Sequence, residues 1–327
     1  MSGAGPAIAI DRLSLAFDTP AGRAEVLDAL SIAVAPGEIV GLIGESGSGK
    51  SVTATALLGL LPGRGCSTGG SVRVLGEELL GLGERRLEEI RGARIAMIFQ
   101  EPMNALNPLL RIGGQLTGVI RRHTSANRAE AEARARELLA DMQIRDVDRV
   151  MRAYPFMLSG GMRQRVLIAM AFACGPEVLV ADEPTTALDV TVQAQVLRLL
   201  RDMARKRGTA VLLITHDIGV VRHLCDRIYV IHAGQIVEQG PTAAVIAGAA
   251  HPYTRALLAS LPERFAPREP IASLDAPAVS PVAPPPGCRF APRCAEAVAD
   301  CSARPGWTGI GDGHQAACWR LQPGREA

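Results

Sequence analysis

Eight residues, Gly44-Glu45-Ser46-Gly47-Ser48-Gly49-Lys50-Ser51, follow directly on the apolar run Ile39–Ile43 and precede a stretch that reads as helix from Lys50. A buried strand, a glycine-rich turn and a helix in that order leave few folds open. The glycines let backbone N–H groups turn inward around an anion, and the helix N-terminus adds partial positive charge at the same point. Lys50 is one of two lysines in the chain, the other being Lys206, and it stands where the β and γ phosphates of a nucleoside triphosphate need neutralising. The Ser51 hydroxyl is a hard oxygen of the kind magnesium takes. Gly44, Ser46, Gly47, Ser48, Gly49, Lys50, Ser51 and Val52 are the candidate phosphate-binding residues.

Residues 38–43, 94–99, 178–181, 210–215 and 227–231 read as short buried strands, with helical stretches between several of them. That alternation predicts an α/β sheet. Between Met103 and Gly175 the helical signal dominates, above all over residues 127–142, so a helical insertion is expected at about 103–175. Residues 261–287 hold Pro267, Pro270, Pro281 and Pro284-Pro285-Pro286 and read as a proline-stiffened linker. It divides a domain of residues 1–260 from a last segment, 288–327.

Val178-Leu179-Val180-Ala181-Asp182-Glu183 ends in two carboxylates, at the end of a predicted strand where ligand crevices open in α/β sheets. Asp182 suits a magnesium shell, and Glu183 suits orienting or deprotonating an attacking water. Leu158-Ser159-Gly160-Gly161-Met162-Arg163-Gln164 puts a hydroxyl and two glycines at the start of another helix, a second anion-binding terminus.

A hydrophobic content of 48% over 327 residues is enough for a substantial core. The formal net charge of +2 leaves no electrostatic footprint for a nucleic-acid partner. The longest apolar stretch, residues 166–175, falls short of the roughly 20 residues a membrane span needs. Residues 1–10 lack the basic and apolar regions of a secretory signal, so the chain is expected in the cytoplasm.

Leu158-Ser159-Gly160-Gly161-Met162, lying between the phosphate loop and the strand ending in Asp182-Glu183, resembles the signature of the ATP-binding-cassette family. The resemblance covers most of residues 5–260. It implies a P-loop nucleoside-triphosphatase (RecA-like) core with the helical insertion, using ATP and Mg2+. It also implies that Ser159, Gly160 and Gly161 close on the γ-phosphate of ATP held by a second cassette. Gln100 resembles the glutamine that senses magnesium and the attacking water, and Asp189, after Ala187-Leu188, resembles the aspartate at the cassette contact. His216 resembles the switch histidine, and Phe17 the aromatic that stacks on adenine.

Phe99-Gln100-Glu101-Pro102-Met103-Asn104-Ala105-Leu106-Asn107-Pro108 and His251-Pro252-Tyr253-Thr254 are similar to segments of the dipeptide/oligopeptide/nickel importer ATPases. With no span of its own, such a chain energises import of di- or oligopeptides through two membrane-spanning permease subunits. The resemblance further implies a paralogous second cassette, an extracytoplasmic solute-binding protein and a peripheral place on the cytoplasmic face of the membrane. The same machinery importing nickel or another small solute is the alternative. A soluble cassette acting on DNA or ribosomes would carry two cassettes, a coiled coil or basic patches, and a non-hydrolysing cassette would lack Glu183.

Of seven cysteines, Cys288, Cys294, Cys301 and Cys318 crowd into the end of the chain, separated by five, six and sixteen residues. Four thiolates suit zinc or an iron–sulfur cluster, and the missing pair two residues apart favours iron–sulfur over Zn2+. The segment also resembles the C-terminal extension of peptide-importer ATPases, which implies a 4Fe–4S cluster. Reduced thiols in a small apolar knob are the other reading, and His314 reads as structural.

Overall fold

The computed structural model describes residues 5–62, 65–99, 105–185, 188–260 and 279–322. Two long strands, β1 (Ile8–Thr19) and β2 (Gly22–Val34), are followed by β3 (Ile39–Ile43) and α1 (Lys50–Leu57). Next come β4 (Cys66–Val74), the short β5 (Glu77–Glu78), α2 (Glu84–Ile90) and β6 (Ile95–Ile98). Helices α3 (Ile112–His123), α4 (Arg128–Asp141), α5 (Val147–Arg152) and α6 (Gly160–Ala171) occupy the middle of the chain. Then β7 (Val178–Asp182), α7 (Val190–Arg207), β8 (Ala210–Thr215), α8 (Ile218–Leu224), β9 (Arg227–His232) and β10 (Gln235–Pro241) restore the alternation. Helices α9 (Thr242–Ala247) and α10 (Pro252–Ala259) and a hairpin of β11 (Thr308–Gly311) and β12 (His314–Ala316) follow. No helix among the described residues is long and apolar enough to cross a membrane.

The chain divides into two compact units. The first takes the described residues of Met1–Ile8, Val34–Ile39 and Arg73–Ile214. Here β6, β7 and β8 run parallel, with Ile95 opposite Val178 and Asp182 opposite Ile214. Every residue of β7 and β8 is buried, which is why both read as unbroken apolar runs rather than as alternation. Local signals set the helix ends. Asn127 accepts the Glu130 N–H at 3.1 Å while the Glu130 carboxylate accepts the Asn127 N–H at 2.8 Å, a capping box that starts α4. Gly208, at φ 65°, stops α7 after Arg205, Lys206 and Arg207, whose charges suit the negative end of the helix.

The second unit takes Ala9–Ala33, Val40–Val72 and the described residues of Thr215–Ala327. Strand β3 runs parallel to β9, with Val40 opposite Arg227 and Ile43 opposite Val230. β10 continues antiparallel from β9, and the terminal hairpin adds β12 to β10 and β11 to β12. β1 lies between β2 and β4 in a separate sheet. Neither β1 nor β2 stands out as a strand in the sequence, and both carry a break in their alternation. Arg12 and Ala29 sit at φ 45° and 47°, and their N–H groups go to the hydroxyls of Ser31 and Ser14 at 3.0 Å each.

Candidate functional site

In the second unit the buried strand β3 delivers the chain into the loop 44–49, and α1 begins at Lys50. Gly49 is at φ 105°, and a Cβ there would lie 2.6 Å from Leu27 Cδ2, so both conformation and space require glycine. Lys50 is 6% exposed as a residue, and its side chain folds over the loop, donating from Nζ to the carbonyls of Gly44 and Glu45 at 2.7 Å each. Ser48 Oγ is buried, 4% exposed for the residue, and has no hydrogen-bond partner among the described residues. An orphaned hydroxyl beside a buried ammonium at a helix N-terminus fits a phosphate oxygen. Ser51, in the first turn of α1, is exposed, and Val52 follows half-buried.

Sequence reasoning missed what holds this loop from behind. The Glu45 N–H donates to the Tyr253 hydroxyl at 2.9 Å, and the Glu45 carboxylate takes both arms of the Arg293 guanidinium at 2.8 and 3.1 Å. Tyr253 lies in α10, whose N-cap His251 accepts the Tyr253 N–H on Nδ1 at 3.0 Å. This accounts for a histidine and a tyrosine flanking Pro252. The sequence signal lay in His251-Pro252-Tyr253-Thr254, noticed for its resemblance, but nothing local tied it to the loop.

Tyr253, His232, His251 and Phe290 pack together, with ring centroids 4.4 Å apart for His232 and Tyr253 and 5.4 Å for Tyr253 and Phe290. Burial drives the Tyr253 hydroxyl upward, keeping it neutral, and drives the histidines down, His232 to about 4 and His251 to about 3 from an ordinary 6.5. The unfolded chain therefore binds more protons than the folded one below pH 6.5, and stability falls as pH drops from there towards 4 and then 3. The melting temperature is expected to fall between pH 7.5 and pH 5, and by less in His251→Asn, which keeps a helix cap but cannot titrate. An equal fall in both proteins would show that His251 takes no part.

In the first unit β7 ends at Asp182, 4% exposed, and the next residue, Glu183, is at φ 46°. Its N–H donates to the Ile214 carbonyl at 2.8 Å. A non-glycine residue held in the left-handed region is strained, and such strain collects at functional sites. Ser159 caps α6, its hydroxyl accepting the Met162 N–H at 3.4 Å, and Asp189 caps α7, accepting the Val192 N–H at 3.0 Å. The two helix starts touch. A Cβ on Gly161 would lie 2.6 Å from Val192 Cγ1, so the second glycine is what lets α6 approach α7. Gly160 lies against Leu188, where a Cβ would be 3.4 Å from Cδ2. An open groove of about 660 Å³, lined by Ser159, Gly161, Met162, Arg145, Arg149 and Arg165 among others, lies at these helix starts.

Among the remaining candidates, His216 is exposed in the bend after β8, where Thr215 Oγ1 accepts the Asp217 N–H at 3.0 Å. Phe17 is half-buried near the end of β1. Gln100, residues 101–104 of the stretch that follows it, Ala187 and residues 261–278 of the proline-rich linker lie outside the described residues.

The iron–sulfur expectation is corrected. Among the described residues no group of three or more His, Cys, Asp or Glu side chains is placed to hold a metal ion, which also removes the Zn2+ alternative. All seven cysteines are free. Cys288 and Cys318 are buried and Cys294 and Cys301 half-buried, each in a hydrogen-bonded turn; the Ala291 N–H, for example, donates to the Cys288 carbonyl at 3.0 Å. Burial pushes the Cys288 thiol up to about 11, with Cys301 and Cys318 nearby adding to it, and pushes Cys294 and Cys318 up as well. Burial thus favours the protonated thiol at Cys288, Cys294 and Cys318.

A protein-family model described as ABC transporter matches residues 27–186, and one described as Oligopeptide/dipeptide transporter, C-terminal region, matches residues 237–301. The chain is 52% identical over 319 residues to the probable D,D-dipeptide transport ATP-binding protein DdpD of Escherichia coli (strain K12), covering 97% of each chain. It is 45% identical over 276 residues to the oligopeptide transport ATP-binding protein AppD of Bacillus subtilis (strain 168), covering 84% of each. Among solved structures, the bacterial ABC transporter cassette MJ0796, described as dimeric, aligns with a TM-score of 0.64 at 27% identity, over 72% of this chain and 98% of that one. The same figures hold for its dimeric post-hydrolysis state bound to ADP and Pi. Mixed α/β fold and phosphate loop together are those of an ATPase of the cassette type. The chain belongs to the ABC transporter family, in the branch of oligopeptide/dipeptide transporter ATP-binding subunits.

Proposed function

We propose that this chain hydrolyses ATP to energise import of di- or oligopeptides through two membrane-spanning permease subunits, from a peripheral place on the cytoplasmic face. The observation that carries the reading is the buried Lys50 and orphaned Ser48 hydroxyl in the phosphate loop, on a chain whose full-length relatives are named for dipeptide and oligopeptide transport. In this reading Gly44, Ser46, Gly47, Ser48, Gly49, Lys50, Ser51 and Val52 hold the phosphates and Phe17 the adenine. Ser51, Asp182 and Gln100 are the oxygen donors for magnesium, which offsets phosphate charge when bound. Glu183 takes the proton of the attacking water and His216 contacts the γ-phosphate. Ser159, Gly160 and Gly161 serve the nucleotide of a second, paralogous cassette, with Asp189 at the contact. Residues 1–260 form the cassette, 261–287 the linker and 288–327 the extension, and a solute-binding protein delivers cargo to the permease.

An apolar surface in the first unit supports a membrane-subunit partner. Leu109 and Leu110 are 82% and 51% exposed, and Phe156 and Met157 are 66% and 61% exposed. The two segments are joined by the Ile112 N–H donating to the Ala153 carbonyl at 2.9 Å and by Arg111 over the Tyr154 ring at 5.7 Å. Co-expression with permease and solute-binding subunits of a peptide importer, followed by reconstitution in vesicles, tests the reading. ATP hydrolysis stimulated several-fold by peptide supports it, stimulation by nickel alone reassigns the cargo, and hydrolysis without membrane association overturns it.

A further inference from the structure

We propose that the segment carrying Arg289 and Arg293 is a brace for the phosphate loop, with Arg293 a positioning residue for nucleotide binding. The inference rests on the proposed reading that the loop holds ATP, and it gives the C-terminal region a task at that site.

Every polar group of Glu45 is engaged. Its N–H goes to the Tyr253 hydroxyl at 2.9 Å, its carbonyl accepts Lys50 Nζ at 2.7 Å, and its carboxylate receives the Arg293 fork at 2.8 and 3.1 Å. The Arg293 side chain is 6% exposed, so this charge pair is largely out of water, where it is strong and costly to break. The far end of the loop is tied to the same segment. The Ser48 carbonyl accepts the Gly234 N–H at 2.9 Å, and Arg289, 3% exposed at its side chain, donates from Nη1 to the carbonyl of the preceding residue, Ala233, at 2.6 Å. Between the two arginines Phe290 packs edge-on to His232, centroids 5.2 Å apart, and on Tyr253 at 5.4 Å. A loop with three glycines in six positions has little stiffness of its own, and this segment holds it at residues 45 and 48.

The electrostatic consequence is specific. Glu45 puts a carboxylate one residue into a loop built to receive a polyanion, and Arg293 cancels it and holds it in place. Without Arg293 the carboxylate opposes the incoming phosphates and the loop loses its anchor.

The test is titration calorimetry of the full chain with Mg–ADP, which is not consumed. Arg293→Ala is expected to weaken binding about tenfold, Arg293→Lys to lie between, and the double variant Glu45→Gln/Arg293→Ala to recover most of the loss. A purely structural role predicts no recovery, because the double variant still lacks the anchor. Should Arg293→Ala fail to fold by circular dichroism, Arg293→Gln carries the same comparison. Unchanged affinity in the single variant overturns the proposal that Arg293 positions the loop, and a double variant no better than the single overturns the claim that Arg293 acts by cancelling the Glu45 carboxylate. Wild-type protein that does not bind Mg–ADP overturns the underlying reading, and the brace with it.

Discussion

Glu183→Gln is expected to lower ATP turnover by about 10²–10⁴-fold while leaving ATP binding in place. The expectation starts from where the residue sits. Strand β7 is buried to its last residue, Asp182, and Glu183 follows at φ 46° with its N–H held by the Ile214 carbonyl at 2.8 Å. Left-handed backbone at a non-glycine residue costs roughly 1–3 kcal/mol and persists only where the surrounding structure enforces it. Glutamine has the same shape and keeps the hydrogen-bonding reach of the side chain, so the strand end and the nucleotide contacts survive. What it loses is the ability to accept a proton. Phosphate release in a single turnover, set beside an ATP titration of the same preparation, reads the two effects separately. Hydrolysis at the wild-type rate would remove Glu183 from the role of base, and a parallel loss of binding would make it a structural residue instead.

Features set by adjacent residues were legible in the sequence. The apolar run Ile39–Ile43, the glycines after it and Lys50 sit within a dozen positions, and the structure places them as strand, loop and helix start. Strands β7 and β8 were equally plain, because a strand buried on both faces announces itself by composition alone. Strands β1 and β2 were not. Their alternation is interrupted where Arg12 and Ala29 turn to positive φ, and a pattern of period two that slips in register leaves little for the eye.

Contacts between distant positions left no trace. Arg293 and Glu45 are 248 residues apart, and neither spacing nor local composition links them. The cysteines failed in the opposite way. Their clustering in sequence carried a strong expectation, yet spacing says nothing about whether thiols converge on one point or fill turns. Among the described residues no group of three or more His, Cys, Asp or Glu side chains is placed to hold a metal ion, and burial raises the Cys288 and Cys318 thiols. Sequence proximity is a good guide to a loop that wraps a ligand with its own backbone and a poor one to a site that must be assembled by side chains.

Lys50→Ala is expected to weaken ATP binding by about two orders of magnitude and to abolish the rise in melting temperature that a ligand of the folded state confers on the wild type. The residue is 6% exposed and its ammonium bridges the carbonyls of Gly44 and Glu45 at 2.7 Å each. Removing it has two consequences. The phosphates lose their point charge, and two loop carbonyls lose a donor, which by itself costs about 1–3 kcal/mol if water does not replace it. The second effect appears as a lower melting temperature without nucleotide, the first as the missing shift on adding it, so one series of melts resolves both. A variant that melts lower yet still gains the full shift with ATP would mean that Lys50 braces the loop and does not hold phosphate. Set against Glu183→Gln, which keeps the shift and loses turnover, the pair separates capture of the nucleotide from its hydrolysis. A cassette that must first bind ATP and only later cleave it requires those two steps to rest on different side chains.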